Sequence, residues 1–148
     1  MNRYEILKDY FFVHIDEHCH GMYKQKALLH SIQVSVLCQK LALKQHLDIE
    51  LAGIMGLFHD YIQFTQYTSF QHGPRCSEWI SSILNEFQDD EKMIIQQAIA
   101  KHREKDKMDD VYREILKDAD VLAQYFAEPD MIMSNTNQKR LKKYLPEI

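Results

Sequence analysis

The stretch LAGIMGLFHD at residues 51–60 is an apolar run that ends abruptly in the polar pair His59-Asp60. Asp48 stands where a helix N-cap is expected, so the run predicts a helix over about 49–59. Both faces of that helix are apolar, which indicates the central and most buried element of the fold. His59 and Asp60 therefore lie where a buried helix stops and solvent can enter, and both side chains can bind a metal ion.

Length and composition favour one globular domain. The chain has 148 residues, of which 45% are hydrophobic and 27% are charged, so we expect a single domain over residues 1–148 with a sizeable core. With only 4 Gly and 3 Pro, a loop-rich or all-β design is disfavoured. The net charge of -4 provides no broad basic field, so we expect no nucleic-acid partner.

The sequence contains no segment that would direct the chain to a membrane. No apolar run is long enough to span a bilayer, and the N-terminus has neither the basic nor the apolar region of a signal peptide. Cys19, Cys38 and Cys76 are odd in number and lack the spacing of metal-binding pairs, which is typical of reduced thiols. We therefore expect a cytoplasmic protein with no membrane partner.

Hydrophobic periodicity predicts an all-α fold, a single compact bundle of about six helices. The predicted helices cover about 3–18, 23–46, 49–59, 89–103 and 110–127. A further helix is predicted before residue 89, with Ser69 or Gly73 as its cap and Phe87 at the end of its apolar face. No stretch alternates with a period of two, so no strand is predicted. Residues 61–71 are expected to be irregular. The tail 130–148 is polar and then basic, and we expect a loop and a short helix or frayed end, with the basic run on a solvated face.

Polar side chains recur on the core-facing sides of these predicted helices. His30 lies on the apolar stripe of the second helix, His102 on that of the fifth, and His72 at the start of the fourth. A lone buried histidine is usually a hydrogen-bonded core residue, but buried polar groups from several helices are costly unless they share a partner. A divalent metal ion would satisfy them together, and mixed imidazole and carboxylate ligands suit Mn, Fe, Co, Ni or Zn. In the sixth helix Asp118 and Asp120 both flank the apolar stripe, and periodicity does not choose between them.

The order of His30, the pair His59-Asp60 and Asp120 resembles the H…HD…D signature of the HD-domain superfamily of metal-dependent phosphohydrolases. The local contexts are similar to the family's motifs as well. They are LLHSIQV at 28–34, GLFHD at 56–60, IAKH at 99–102 and LKDADVL at 116–122. The resemblance covers a motif-bearing core of about residues 23–126.

The resemblance implies a divalent metal centre, with one or two ions of Mn, Fe, Co, Ni, Zn or Mg per chain. The implied ligands are His30, His59, Asp60 and Asp120. The family pattern favours Asp120 over Asp118 because it is the acid that follows the alanine. A hydroxide on the metal would attack phosphorus, which puts His59 and Asp60 at the implied catalytic centre.

Two further histidines extend the implied site. Some relatives hold a second metal with histidines in the positions of His72 and His102, and the aspartate of the HD pair bridges the two metals. Others bind one metal and use the extra polar groups for substrate. His72 and His102 are therefore candidates for either role.

A phosphate group also needs cationic partners. Many relatives carry a glycine and a lysine or arginine shortly after the HD pair, whereas this chain reads YIQ at residues 61–63. Arg75 is the first candidate, because an early position in a helix also offers the positive end of the helix dipole. The other candidates are Lys26, one turn before His30, and Lys101 and Arg103, which flank His102.

The leading functional hypothesis is a metal-dependent phosphohydrolase that acts on a small phosphate ester or anhydride, with a nucleotide as the expected substrate. A di-iron oxygenase on the same scaffold is an alternative, should His72 and His102 bind a second iron. A non-catalytic nucleotide-binding sensor is another. The intact ligand set argues against a degenerate domain, because apolar replacements would pack as well as buried polar ligands. The oligomeric state also stays open, since the segment MIM at residues 131–133 could form a contact surface in a homo-oligomer.

Overall fold

The computed structural model describes residues 2–145. Within that range the chain forms eight α-helices and one short 3-10 turn, and it contains no strand. The helices are α1 (Arg3–His18), α2 (Gly21–Lys44), α3 (Ile49–Phe58), α4 (Tyr61–Gln66), α5 (His72–Ile80), α6 (Asp89–Lys101), α7 (Val111–Ala127) and α8 (Asn135–Lys142), with the 3-10 turn at Ser81–Ile83. The predicted all-α compact bundle is confirmed. None of these helices is long and apolar enough to cross a membrane.

Helix α3 is the centre of the bundle, as the apolar run predicted. All its residues from Leu51 to Phe58 are buried, and α1, α2, α6 and α7 pack around it. The helix starts at the expected cap, where Asp48 Oδ1 accepts a hydrogen bond of 3.0 Å from the backbone N–H of Leu51. It ends directly before His59, so the polar pair follows the most buried element of the fold.

Two glycines bring helix backbones together beside the polar residues. A Cβ atom on Gly56 would lie 2.8 Å from the Cα of Ser35, so α3 packs directly on the backbone of α2. A Cβ atom on Gly73 would lie 3.1 Å from the carbonyl oxygens of Ile99 and Ala100, so the start of α5 packs on the end of α6. These two close approaches hold together the parts of the four helices that carry the polar residues.

The connection after the polar pair differs from the irregular stretch that was predicted. Residues Tyr61–Gln66 form α4, which ends where Tyr67 adopts a left-handed conformation with φ 54°. Six residues are too few for a helical period to appear in the sequence, and burial against the core stabilises the short helix instead. Helix α5 ends at Ile80, earlier than the apolar pattern indicated, so Phe87 lies on the segment that leads to α6.

The basic run near the C-terminus is solvated at Lys139, Lys142 and Lys143, as predicted, but not at Arg140. Helix α8 packs on α7, and Arg140 is buried there. Its Nη1 donates hydrogen bonds of 2.9 Å to Glu114 Oε1 and to Asp118 Oδ1. Asp118 Oδ2 also accepts from Lys143 Nζ at 2.6 Å and from the Tyr144 hydroxyl at 2.5 Å. The remaining part of the predicted tail, residues 146–148, lies outside the described residues.

The two glycines of α3 form a matched pair that tests the contact between α2 and α3. Gly56→Ala should lower the free energy of unfolding by about 1–3 kcal/mol, because the new methyl group meets helix backbone that cannot move aside. Gly53→Ala should change it by less than about 1 kcal/mol, because that methyl group meets the ends of the Tyr4 and Gln39 side chains. Urea denaturation of both variants would measure the difference, and equal stabilities would contradict the close packing at Gly56.

The buried ion network of α8 gives a second stability test. Arg140→Met should lower the free energy of unfolding by about 3 kcal/mol, because it removes the buried cation that pairs with Glu114 and Asp118. Lys142→Met is the control, since that side chain lies on the same helix and is exposed. If both substitutions lower the free energy of unfolding by a similar small amount in urea denaturation, the ion network does not contribute to stability.

Candidate metal centre

Four of the predicted residues converge at one point in the bundle. His30 comes from the middle of α2, His59 and Asp60 follow α3, and Asp120 comes from α7. One potential ligand atom from each lies within 4.8 Å of all the others. The shortest separations are 3.0 Å from His30 Nε2 to Asp120 Oδ1, and 3.1 Å from His59 Nε2 to Asp60 Oδ2.

A second group adjoins the first and shares Asp60. His72 at the start of α5 and His102 directly after α6 direct their Nε2 atoms at Asp60 Oδ1, at 2.8 Å and 3.1 Å. The other oxygen of this carboxylate, Oδ2, faces His30 and His59 at 3.4 Å and 3.1 Å. Asp60 therefore lies between two groups of ligand atoms and presents one oxygen to each.

Backbone carbonyl groups orient three of the histidine rings. His59 Nδ1 lies 2.7 Å from the carbonyl oxygen of Gly56, and His102 Nδ1 lies 2.6 Å from that of Ile99. His72 Nδ1 lies 3.1 Å from that of Ser69. Because a carbonyl oxygen only accepts, each Nδ1 carries the hydrogen, and the neutral ring has its lone pair on Nε2.

This tautomer fits a bound cation. The Nε2 atoms of His72 and His102 are 3.0 Å apart, and two lone pairs at that distance cannot form a hydrogen bond with each other. A cation between them would satisfy both nitrogens, and metal-binding histidines typically donate their second N–H to a carbonyl group in this way. The donors are imidazole and carboxylate groups, a set that suits Mn, Fe, Co, Ni or Zn.

The charges of the cluster are strongly coupled. Burial acts to lower the pKa of His59, but the neighbouring carboxylates of Asp60 and Asp120 raise it to about 10. Burial keeps the pKa of His102 below its ordinary value, although Asp60 opposes that effect. Burial also acts to raise the pKa of Asp60, but the electrostatic influence of His59 and contacts with the surrounding imidazoles hold it well below the usual range. The two buried carboxylates thus require positive charge beside them, which a divalent cation supplies.

The cluster lies at a cleft with a volume of about 740 Å³. His30, Asp60, His72, His102 and Asp120 all contribute to its wall. His59 is fully buried and has no exposed atom of its side chain, so it lies behind the cleft surface. A small molecule in this cleft would contact both groups of ligand atoms.

The profile of the HD domain family matches residues 28–125. The chain belongs to the HD domain family. HD domains bind divalent metal ions, and the two groups of ligand atoms fit such ions. No curated protein matches the chain significantly.

A crystal structure with the same fold is that of a predicted HD superfamily hydrolase from an uncultured Thermotogales bacterium. The two chains are 20% identical, and the alignment covers 99% of this chain and 92% of the other with a TM-score of 0.67. At this level of identity the likeness shows the shared fold alone.

The structure separates the two aspartates that periodicity could not distinguish. Asp120 faces His30 and His59 in this HD domain, whereas Asp118 binds Arg140 and the C-terminal residues. Two residues along a helix rotate a side chain by more than half a turn, so only one of the two acids can point into the cluster. Asp120 is the one that the family pattern favoured.

Two of the four candidate phosphate-binding cations, Arg75 and Lys101, do not line the cleft. The Arg75 guanidinium donates to the carbonyl oxygen of Phe70 at 3.3 Å and to the Gln66 side chain, so it binds the loop before α5. Lys101 is half exposed and pairs with Glu104 at 3.2 Å. Neither side chain lines the cleft, whereas Lys26 and Arg103 do.

The turn between α6 and α7 carries Arg103, which was a candidate from the sequence, and Lys105, which was not. Lys105 and Arg103 both line the cleft, and Lys105 Nζ donates to Asp120 Oδ2 at 2.8 Å. The Arg103 guanidinium lies 3.5 Å from His72 Nδ1, and the shorter contact of that nitrogen with Ser69 determines the orientation of the ring. The sequence of this turn has the composition of an ordinary charged surface loop. No local pattern therefore distinguishes Lys105 from an exposed lysine.

The contrast between the two aspartates predicts the behaviour of a matched pair of variants. Asp120→Asn should weaken metal binding by more than about 100-fold, since even a residue that only supports a ligand contributes about 10–100-fold. Asp118→Asn should retain the metal content of the wild type and lower stability instead, because it disturbs the Arg140 network. Elemental analysis and metal titration would measure both, and metal loss confined to Asp118→Asn would show that the wrong acid was assigned.

Proposed function

We propose that this HD domain is a metal-dependent phosphohydrolase that acts on a small phosphate ester or anhydride, with a nucleotide as the candidate substrate. The observation that carries the proposal is the position of Asp60, whose two oxygens face separate ligand groups at the wall of an open cleft. Membership of the HD domain family supports the same reaction class.

The residues that would hold the metal follow from the geometry of the two groups. A first ion would bind His30, His59, Asp60 and Asp120, and a second would bind Asp60, His72 and His102. A divalent ion bound there supplies Lewis-acid polarisation of a phosphoryl oxygen and lowers the pKa of water near it.

The protein's own part in the proposed reaction is orientation and charge. The carbonyl groups of Gly56, Ser69 and Ile99 hold three imidazole rings in one tautomer before any ligand arrives. Such preorganised dipoles need little rearrangement when charge develops on the substrate. Lys26 and Lys105 place positive charge on the cleft wall, where a phosphate group would approach the cluster.

The composition of the cleft supports a ligand with a charged end and an uncharged polar body. Beyond the metal-binding side chains, the wall includes the amides of Gln25, Gln33, Gln63 and Gln124 together with the ring of Phe64. Its volume of about 740 Å³ falls in the range of small-molecule sites. Amide groups beside an aromatic ring suit the base and sugar of a nucleotide.

A di-iron oxygenase is the second candidate function. It is favoured by one observation, namely that the second ligand group contains two buried histidines as well as the shared Asp60. Two iron ions per chain and an absorption band from an oxo bridge would support oxygen chemistry. The absence of that band in protein with hydrolytic activity would support the phosphohydrolase.

The proposed activity is tested on protein purified without chelators. We expect metal near one or two equivalents by elemental analysis, and release of phosphate from a panel of nucleoside monophosphates, nucleoside triphosphates, cyclic nucleotides and pyrophosphate. Chelation should abolish turnover, and addition of Mn²⁺, Ni²⁺ or Fe²⁺ should restore it. Protein that takes up metal but hydrolyses no member of the panel would contradict the proposal.

The shared position of Asp60 predicts different stoichiometries for two variants. Asp60→Ala should lose metal from both groups, because this carboxylate contributes an oxygen to each. His102→Ala should lose metal from the second group only, because its Nε2 lies beside Asp60 Oδ1 and His72. Metal content is measured in both variants in parallel. An unchanged content in Asp60→Ala would show that Asp60 is not needed by either group of ligand atoms.

A further inference from the structure

Lys105 is the cation in closest contact with the metal-binding side chains. Its Nζ donates hydrogen bonds to Asp120 Oδ2 at 2.8 Å and to the carbonyl oxygen of His102 at 2.5 Å. The side chain is 15% exposed and lines the cleft. Lys26 and Arg103 also line the cleft, but both are exposed residues, and neither forms an ion pair with Asp60 or Asp120.

The ammonium group of Lys105 has a donor to spare. A lysine ammonium carries three N–H donors, and two of them have partners among the described residues. The third is available to a ligand in the cleft. Because Oδ2 of Asp120 is bound by Lys105, Oδ1 stays turned toward His30 and His59, at 3.0 Å and 3.5 Å from their Nε2 atoms.

Two buried cations hold the backbone of the turn that carries Lys105. The Arg140 side chain donates to the carbonyl oxygen of Lys105 through Nε at 3.0 Å and through Nη2 at 2.8 Å. The fully buried Lys117 donates to the carbonyl oxygen of Lys107 at 2.9 Å, and Arg140 donates to the same oxygen at 3.1 Å. A buried cation is costly unless it is paired, and here Asp109 and Asp118 provide the opposite charges.

The turn is therefore fixed from two helices, α7 and α8, before a substrate arrives. A cation that is already in place loses little conformational freedom on binding a ligand, whereas a freely moving lysine has to be ordered first. Arg140 and Lys117 are both buried, and both donate to carbonyl oxygens of this turn. Their shared effect is to hold the backbone on which Lys105 stands.

We propose that Lys105 is the phosphate-binding residue of this cleft. One N–H of its ammonium holds Asp120 with Oδ1 toward the histidines, and the free N–H donates to an oxygen of the substrate's phosphate group. A charge-assisted hydrogen bond of this kind is the stronger type in proteins, and it suits a phosphate dianion better than an uncharged ligand. This assignment rests on the proposed phosphohydrolase function and names the cation that the sequence after His59-Asp60 does not provide.

The test measures binding of inorganic phosphate to protein saturated with Mn²⁺, by isothermal titration calorimetry. Lys105→Met should raise the Kd for phosphate about 10- to 100-fold, because it removes a hydrogen bond to a charged group. Lys101→Met is the matched control, since it removes the same charge from the end of α6 but lies outside the cleft, and its Kd should stay within about twofold. Metal content is measured in the same samples.

A second variant separates phosphate binding from a purely structural role. Gln63 lines the same cleft from α4, three residues after Asp60. Gln63→Lys combined with Lys105→Met should recover at least about half of the lost binding free energy, because it returns a cation to the cleft from another helix. A structural defect in the turn between α6 and α7 would not be repaired from that position, so absence of any recovery would argue against the assignment.

The outcomes distinguish this inference from the proposed function. If the wild type binds phosphate and Lys105→Met binds it equally well, the role of Lys105 is wrong and the phosphohydrolase proposal stands. If Lys105→Met no longer binds Mn²⁺ at saturating concentrations, Lys105 acts on the metal site alone and the assignment is likewise overturned. If the wild type with Mn²⁺ binds no phosphate and hydrolyses no phosphate ester, both proposals fail.

Discussion

The carboxylate of Asp60 is the constraint on which the rest of the site depends. It meets four imidazole nitrogens within 3.4 Å, two on each oxygen, and it is buried at the end of the most apolar helix. A buried carboxylate requires positive charge and hydrogen-bond donors in this environment. The middle of α2 and the ends of α3, α5 and α6 provide them, so the bundle places its polar side chains where that one charge needs partners.

The helix packing explains how these partners reach Asp60. Gly56 allows α3 to approach the backbone of α2, which carries His30, and Gly73 allows α5 to approach the end of α6, which precedes His102. The carbonyl groups that orient the rings belong to the last turns of these same helices or to the loop before α5. The same helix contacts therefore determine both the close packing and the orientation of the imidazole rings. A change in helix spacing would disturb both.

The C-terminal helix extends this arrangement toward the cleft. Its Arg140 binds backbone oxygens of the turn between α6 and α7 and also pairs with Glu114 and Asp118 of α7. A basic side chain near a chain end is usually solvated, so its pattern in the sequence carries no sign of burial. The same holds for Lys105, whose position in the cleft depends on contacts from residues far away in the chain.

The sequence by itself determined the all-α class, the central position of α3 and the candidate residues His30, His59 and Asp60, because apolar periodicity and polar interruptions are local patterns. The choice of Asp120 over Asp118 came from the resemblance to the family and not from periodicity. The sequence also determined the family, through motifs in a fixed order. Only the tertiary structure decided which side chains share the cleft, such as Lys105 rather than Arg75 or Lys101. The physical reason is that a long, flexible, charged side chain takes its direction from partners distant in sequence, and helical periodicity does not record those partners.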